Sequence, residues 1–359
     1  MEINLKRYKI AIIISTFLIL AIGIYMVRDS SLIWANYLYD DENYYFKRQL
    51  IYALVGIFIF FFAAKLKYNL LKKYSFVFLL LSILLLILTL IPGIGILKNG
   101  SRSWLGFSFL SFQPSEFFKI SLILFFSFYL EKYYFDSKRI RYLIPLFIIT
   151  LVGFVLIMLQ PDFGTCMVLA LSIFIIVYCS RLKNSWFIFF IVLGLVGITT
   201  LILFESYRLE RITSFLSPFD DPLGSGFQII QSLYALGPGG LIGKNESIQK
   251  YYYLPEPQTD FIFAIYIEEF GLLGGLFLIF LYGVIIYCSI KIIINSTNLF
   301  KSFSSLGLLS LFMIQTIINL GVVIGLLPVT GITLPLMSYG GSSLIVVLFS
   351  LGLIINENF

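Results

Sequence analysis

The chain has 359 residues, of which 59% are hydrophobic and only 12% charged, and it carries a formal net charge of +6. A soluble domain of this size has about twice that charged fraction, so the bilayer is the solvent here. The complete absence of histidine removes Ser-His-Asp triads, His acid–base chemistry and His metal clusters, and the basic excess has a membrane explanation that leaves no reason to invoke nucleic acid.

Ten apolar segments follow one another at about residues 8–27, 48–64, 75–92, 113–130, 142–159, 163–180, 185–204, 261–288, 302–327 and 338–355. Each is near the length a helix needs to cross a hydrocarbon core. The runs are continuous rather than alternating, which excludes a β-barrel. No small-residue cleavage site follows the first run, so it reads as a retained anchor. Segments five and six are parted only by Gln160-Pro161-Asp162, a tight turn. The expected fold is therefore an all-α integral membrane protein with ten transmembrane helices, one polytopic domain over residues 1–359.

Basic residues orient the spans. Lys6, Arg7 and Lys9 precede the first; Lys65, Lys67, Lys72 and Lys73 lie between two and three; Lys132, Lys138, Arg139 and Arg141 between four and five; Arg181 and Lys183 between six and seven; Lys291 and Lys301 between eight and nine. Alternate connections are basic, so both termini are expected in the cytoplasm. The opposite face receives loops at 28–47, 93–112 and 205–260. In the last and longest, between spans seven and eight, Phe227, Ile230, Leu233 and Tyr234 recur at helical spacing, which predicts a short amphipathic helix on the outer interface. Cys166, Cys179 and Cys288 show neither metal-ligand spacing nor a disulfide framework. No internal repeat is evident, which weakens a transporter built on inverted halves.

Ionisable groups within or at the ends of spans cost about 2.5–3.5 kcal/mol near the bilayer centre and mark function by default. Here they are Glu116, Lys119, Asp162, Glu268 and Glu269. With the orientation above all lie toward the outer halves of their spans, a distribution that describes a polar cavity opening outward. Glu116 and Lys119 share a helix face and read either as a self-neutralising pair or as a lysine held toward an anionic substrate. Gln113-Pro114-Ser115 looks like a helix start. Asp260 closes Leu254-Pro255-Glu256-Pro257-Gln258-Thr259-Asp260. Thr259 or Asp260 is a natural N-cap for the following helix; alternatively Asp260 is a rigidly held general base toward a sugar hydroxyl. A helix N-terminus lowers carboxylate basicity, so burial or Glu256 would have to oppose that effect. Glu268 and Glu269 follow two turns later. The run Ser338-Tyr339-Gly340-Gly341-Ser342-Ser343 suggests a close helix contact rather than a phosphate-binding loop. Arg102 and Trp104 either meet a diphosphate and a sugar face or anchor a loop at the interface.

The motifs N-G-S-R-S-W-L-G (99–106), S-F-Q-P-S-E-F-F-K (111–119), Q-P-D-F-G-T (160–165), Y-L-P-E-P-Q-T-D-F-I-F-A-I (253–265) and L-L-P-V-T-G-I-T-L-P-L-M-S-Y-G-G-S-S (326–343) together resemble the SEDS family of shape, elongation, division and sporulation proteins. The wording of the Asp260 motif is more similar to the FtsW and SpoVE branch than to the RodA branch. Two stretches depart from the family pattern: Pro238 stands where Ser is usual, and residues 243–247 are about two residues shorter. The resemblance implies a peptidoglycan glycosyltransferase of the cytoplasmic membrane that uses lipid II and extends a nascent glycan strand. It also implies a class B penicillin-binding protein as transpeptidase partner, among other divisome or elongasome membrane proteins. Asp260 matches the family's essential loop aspartate, Glu116 and Lys119 the polar pair of the fourth span, Asp162 the acid of the Q-P-D turn and Arg102 the basic residue before the tryptophan. The expected reaction has Asp260 as general base and undecaprenyl diphosphate as leaving group, with Lys119, Arg102 or a divalent cation (Mg or Mn) at the diphosphate; no metal ligand is assigned. A lipid II flippase and a non-enzymatic scaffold for the penicillin-binding protein are the competing readings.

Overall fold

The computed structural model describes residues 2–98, 101–107, 110–203, 206–244 and 254–356. Every predicted apolar segment is helical: α1 (Glu2–Tyr39), α2 (Tyr44–Ala63), α3 (Tyr68–Leu90), α4 (Pro114–Lys132), α5 (Ile144–Met158), α6 (Phe163–Tyr178), α7 (Asn184–Leu203), α10 (Ile262–Ile294), α11 (Leu299–Val323) and α12 (Gly341–Ile354). Between them lie two further helices, α8 (Ser206–Leu216) and α9 (Phe227–Leu236). By length and composition α1, α2, α3, α10 and α11 can each cross a membrane unaided, whereas α5, α6 and α12 are shorter apolar helices. Large side chains such as Phe58, Leu151, Ile188 and Phe280 are more than half exposed, a pattern that a bilayer accommodates and water does not. Among those five helices, α11 is the most enclosed, with 78% of its apolar window buried. It packs on α4, α6, α10 and α12, while α1 packs on α10, α2 on α12 and α3 on α4.

Several expectations are corrected. The first helix does not stop at Val27 but runs to Tyr39, because residues 28–39 contain neither Gly nor Pro and Ser30 and Ser31 turn their hydroxyls back onto the Met26 and Arg28 carbonyls. The connection at 93–112 is not irregular: β1 (Ile96–Lys98), β2 (Ser101–Phe107) and β3 (Leu110–Phe112) form an antiparallel sheet in the order β1-β2-β3, so the molecule is not purely α. Finally, α9 forms where predicted, but the side it packs against the bundle is only partly the predicted face. Ile229, Ile230, Ser232 and Ala235 are buried against α10 and α11, Ser232 donates to the Val323 carbonyl (2.8 Å), and Tyr234 is exposed.

The eighth apolar segment is also not one continuous span. At Gly271 (φ 69°, ψ −173°) α10 breaks, and residues 239–244 pack into the break. Leu272 and Leu273 donate their backbone N–H groups to the Gly240 and Leu241 carbonyls (2.9 and 3.1 Å), and Lys244 donates to the Glu268 carbonyl (3.1 Å). A Cβ on Gly243 would lie 2.0 Å from the Glu269 carbonyl oxygen, and one on Gly271 would lie 2.5 Å from the Gly243 nitrogen. Both glycines are therefore obligatory for the interlock. Beyond the break Leu272, Leu273, Leu276 and Phe277 are exposed, whereas residues 262–266 are buried. Non-helical backbone at this depth is tolerated because protein groups satisfy it.

Candidate active site

The site lies at the end of the bundle where α4, α6, α10 and α12 begin. Its floor is the loop 254–260. Pro255 and Pro257 fix their own φ angles and keep the preceding residues out of the helical region, and Glu256 between them takes a left-handed φ of 45°, a strained conformation for a residue with a side chain. Four backbone carbonyls of the loop are each held by a different partner. Trp34, on the extension of α1, donates its indole N–H to Leu254 (3.4 Å). The Tyr339 N–H donates to Gln258 (2.8 Å), the Ser338 hydroxyl to Thr259 (2.6 Å), and the Asn319 amide to Asp260 (2.8 Å). Asn319 also donates to Ile332 (2.8 Å), Tyr282 to Pro335 (2.5 Å) and Gln315 to Thr333 (3.1 Å). The loops before α10 and α12 are thereby one hydrogen-bonded unit.

This clamping holds the backbone of Asp260, and among the described residues no donor hydrogen-bonds its carboxylate. The N-cap of α10 is Phe261, and no side chain caps it; the Thr259 hydroxyl donates to the Glu256 carbonyl instead. Dense surroundings and the nearby Glu256 carboxylate push the Asp260 carboxyl up to about 6, partly opposed by the Arg211 guanidinium. Arg211 arrives on α8 and donates to the Val329 carbonyl (2.9 Å).

Asp162 behaves oppositely. Its Oδ1 accepts from the Thr165 N–H (3.0 Å) and its Oδ2 from the Thr165 hydroxyl (2.8 Å) and the Gln113 amide (3.2 Å), so it is the N-cap of α6. The Gln113 N–H in turn donates to Ser342 (3.0 Å), which joins the Gln160-Pro161-Asp162 turn through the start of α4 to the loop that supports Asp260.

Glu116 and Lys119 form a 2.8 Å ion pair, with their side chains only 7% and 4% exposed. One Glu116 oxygen, Oε2, and the neighbouring Ser115 hydroxyl have no hydrogen-bond partner among the described residues. Removing one partner of such a pair leaves an uncompensated charge. Arg102 and Trp104 lie on β2, Trp104 opposite Ile96, and the adjacent Ser101 donates to the Gln160 carbonyl (2.5 Å). Among the described residues no hydrogen bond or ion pair joins Arg102 or Lys119 to Asp260. Glu268 and Glu269 are buried just before the break in α10, where both side chains or backbones are engaged. Ser338 serves the Asp260 loop, while Gly341 of the same run closes on the Tyr52 ring, where a Cβ would lie 2.5 Å away. Asn99, Gly100, Tyr253 and residues 245–247 of the sequence motifs lie outside the described residues.

Sequence reasoning missed Gln315 and Asn319, although two amides four residues apart in an apolar span were a legible signal. It also missed Arg211, whose relation to Asp260 depends on how α8 folds back.

Residues 9–358 match a family model described as "Cell cycle protein", covering FtsW, RodA and SpoVE. The chain is 45% identical to the stage V sporulation protein E of Bacillus subtilis (strain 168), over 96% of this chain and 95% of that one. It is 36% identical to a probable peptidoglycan glycosyltransferase FtsW of Trichlorobacter lovleyi, covering 98% and 93%. Among solved structures it resembles a chain from work titled "Structural coordination of polymerization and crosslinking by a peptidoglycan synthase complex", with TM-score 0.78 and 30% identity over 96% and 95% of the two chains. It also resembles the rod shape determining protein RodA of Thermus thermophilus, with TM-score 0.69 and 27% identity over 96% and 94%.

Proposed function

Because this chain belongs to the FtsW–RodA–SpoVE family of cell cycle proteins, we propose that the site at Asp260 joins lipid II units into β-1,4-linked glycan. The protein is a multi-pass membrane peptidoglycan glycosyltransferase. In this reading residues 1–359 form one polytopic domain with ten crossings, both termini in the cytoplasm and the site facing the outside. The support is the position of Asp260, Asp162, Glu116 and Lys119 at the helix ends opposite the lysine-rich turns.

The observation that carries the mechanism is a carboxylate whose backbone is fixed while its oxygens do no capping, with its pKa pushed up to about 6. A general base works best when its pKa lies near the working pH. The 4-hydroxyl of an acceptor lipid II attacks the anomeric carbon of the growing chain, Asp260 takes the hydroxyl proton, and the bond to undecaprenyl diphosphate breaks. One displacement inverts the α-linked donor to a β link. Lys119 and Arg102 are the protein cations assigned to the diphosphate, with Asp162 and Ser338 supporting the walls. Glu268, Glu269 and Trp104 complete the proposed substrate contacts. Among the described residues no group of three or more Cys, Asp or Glu gathers, so a Mg or Mn ion there would draw most of its ligands from the diphosphate and water.

A class B penicillin-binding protein is the proposed transpeptidase partner, docking along the spans. Purified protein, alone and with each such partner, should convert labelled lipid II into a ladder of glycan strands. Lipid II moved between the leaflets of vesicles but never joined would instead establish a flippase, and no effect on lipid II in any pairing would leave a scaffold.

A further inference from the structure

At the opposite end of the bundle, α3 and α4 leave a cleft of about 460 Å³ lined by Asn69, Lys72, Lys73, Ser75, Phe76 and Phe128. Its two walls differ in chemistry. Asn69, Lys72 and Lys73 occupy the first turns of α3. One turn further on, Phe76, Val77, Leu80 and Leu81 are roughly half exposed and mark the start of the lipid-facing surface. Phe76 and Phe128 both pack beside Phe125, with ring centroids 5.7 and 6.4 Å away, so an aromatic slope leads from the cationic rim down along the spans. Lys72 is held by Glu131 at 2.8 Å, with 38% of its side chain exposed. Lys73 is exposed, its ammonium 5.4 Å from the Tyr74 ring centroid, and no carboxylate among the described residues lies within ion-pair distance of it. Two lysines against one carboxylate leave the rim positive.

We propose that this cleft is a binding site for an anionic phospholipid, its phosphate held by Lys72 and Lys73 and its acyl chain laid against Phe76 and Phe128. The polarity of the cleft matches that of the ligand along its length: cations and an amide at the membrane boundary, apolar rings below it. Basic pockets between spans are the usual receptors for such headgroups. A soluble anion would use the rim but has no use for the rings, and a zwitterionic lipid would use the rings but brings no net charge to the lysines. Glu131 competes with the phosphate for Lys72, so its removal strengthens the site. The assignment of this boundary to the cytoplasmic leaflet rests on the orientation proposed above; the binding itself does not, and neither does it depend on the catalytic reading.

The test is native mass spectrometry of the full chain released from detergent after exposure to phosphatidylglycerol or phosphatidylcholine. The expected result is retained phosphatidylglycerol, preferred over phosphatidylcholine by at least about tenfold. Lys72→Gln with Lys73→Gln should weaken it by about thirtyfold, at roughly fivefold for each lysine. Glu131→Gln should retain more than the parent, and the control pair Lys65→Gln with Lys67→Gln should retain as much as the parent. An unfolding temperature in detergent equal to the parent's verifies that the Lys72/Lys73 double variant folds. Equal retention of the two lipids, or retention by that double variant equal to the parent, would overturn the proposal.

Discussion

Two aspartates stand immediately ahead of apolar helices, Asp162 before α6 and Asp260 before α10, and on paper they look alike. Asp162 spends both oxygens on Thr165 and Gln113. Asp260 spends neither on its helix; instead its backbone carbonyl is tied down by Asn319 and its carboxyl is pushed up to about 6 by burial and Glu256. The difference teaches that an aspartate at a helix start need not be its cap, and that the deciding fact is what else satisfies the neighbouring backbone.

The largest separation between the two should come from alanine. Asp260→Ala should reduce glycan polymerisation by about 10²–10⁴-fold, the usual worth of a general base, whereas Asp162→Ala should act only through stability; rates per folded protein in a lipid II gel assay compare them. Next in size is Asn319→Leu, which strips the Asp260 and Ile332 carbonyls of their donor. Each orphaned buried carbonyl costs about 1–3 kcal/mol, to be read as a lowered unfolding temperature in detergent. A normal unfolding temperature would mean that the clamp on the Asp260 loop is not needed.

These contrasts were unevenly legible in the sequence. Apolar runs were enough to locate every helix that α1–α7 and α10–α12 contribute, because lipid-facing and buried positions are both apolar and only length matters. The break at Gly271 was not readable, since nothing local distinguishes that glycine from Gly274 or Gly275; it is defined by residues 239–244 arriving from another part of the chain. The strands at 96–112 were overlooked because β1 and β3 have three residues each and the seven-residue β2, Ser-Arg-Ser-Trp-Leu-Gly-Phe, does not alternate polar with apolar positions. At the site, Asp260 and Asp162 both stood out in the sequence, but which of them caps its helix could not be read without knowing that Phe261 occupies the cap position and that Ser338, Tyr339 and Asn319 hold the loop. The opposition between Glu256 and the helix start was anticipated; Arg211 was not, because it depends on tertiary placement of α8.

A pH titration sharpens the same comparison. Activity should fall about tenfold per pH unit once the pH drops below the Asp260 value of about 6. Stability should move the other way. A carboxyl raised above its unfolded value binds more protons in the folded chain, so its contribution rises as pH falls from about 6 toward 4. Arg211→Gln removes a neighbour that lowers the Asp260 value and should shift the activity midpoint upward; an unchanged midpoint would show that the guanidinium does not reach the carboxylate. The smallest effect belongs to Asp162→Ala, about 1 kcal/mol of lost stability, largely recovered in Asp162→Asn because Asn caps about as well as Asp. Equal damage from both would mean that Asp162 does more than cap.

The most direct measurement is the polymerisation rate and the unfolding temperature of Asp260→Asn, taken on the same preparation. The substitution keeps the size of the side chain while deleting the basic carboxylate. The account predicts a folded protein with unchanged or slightly raised unfolding temperature that no longer polymerises lipid II. An Asn variant that polymerises near the parental rate would contradict it and leave Asp260 neither a base nor a cap.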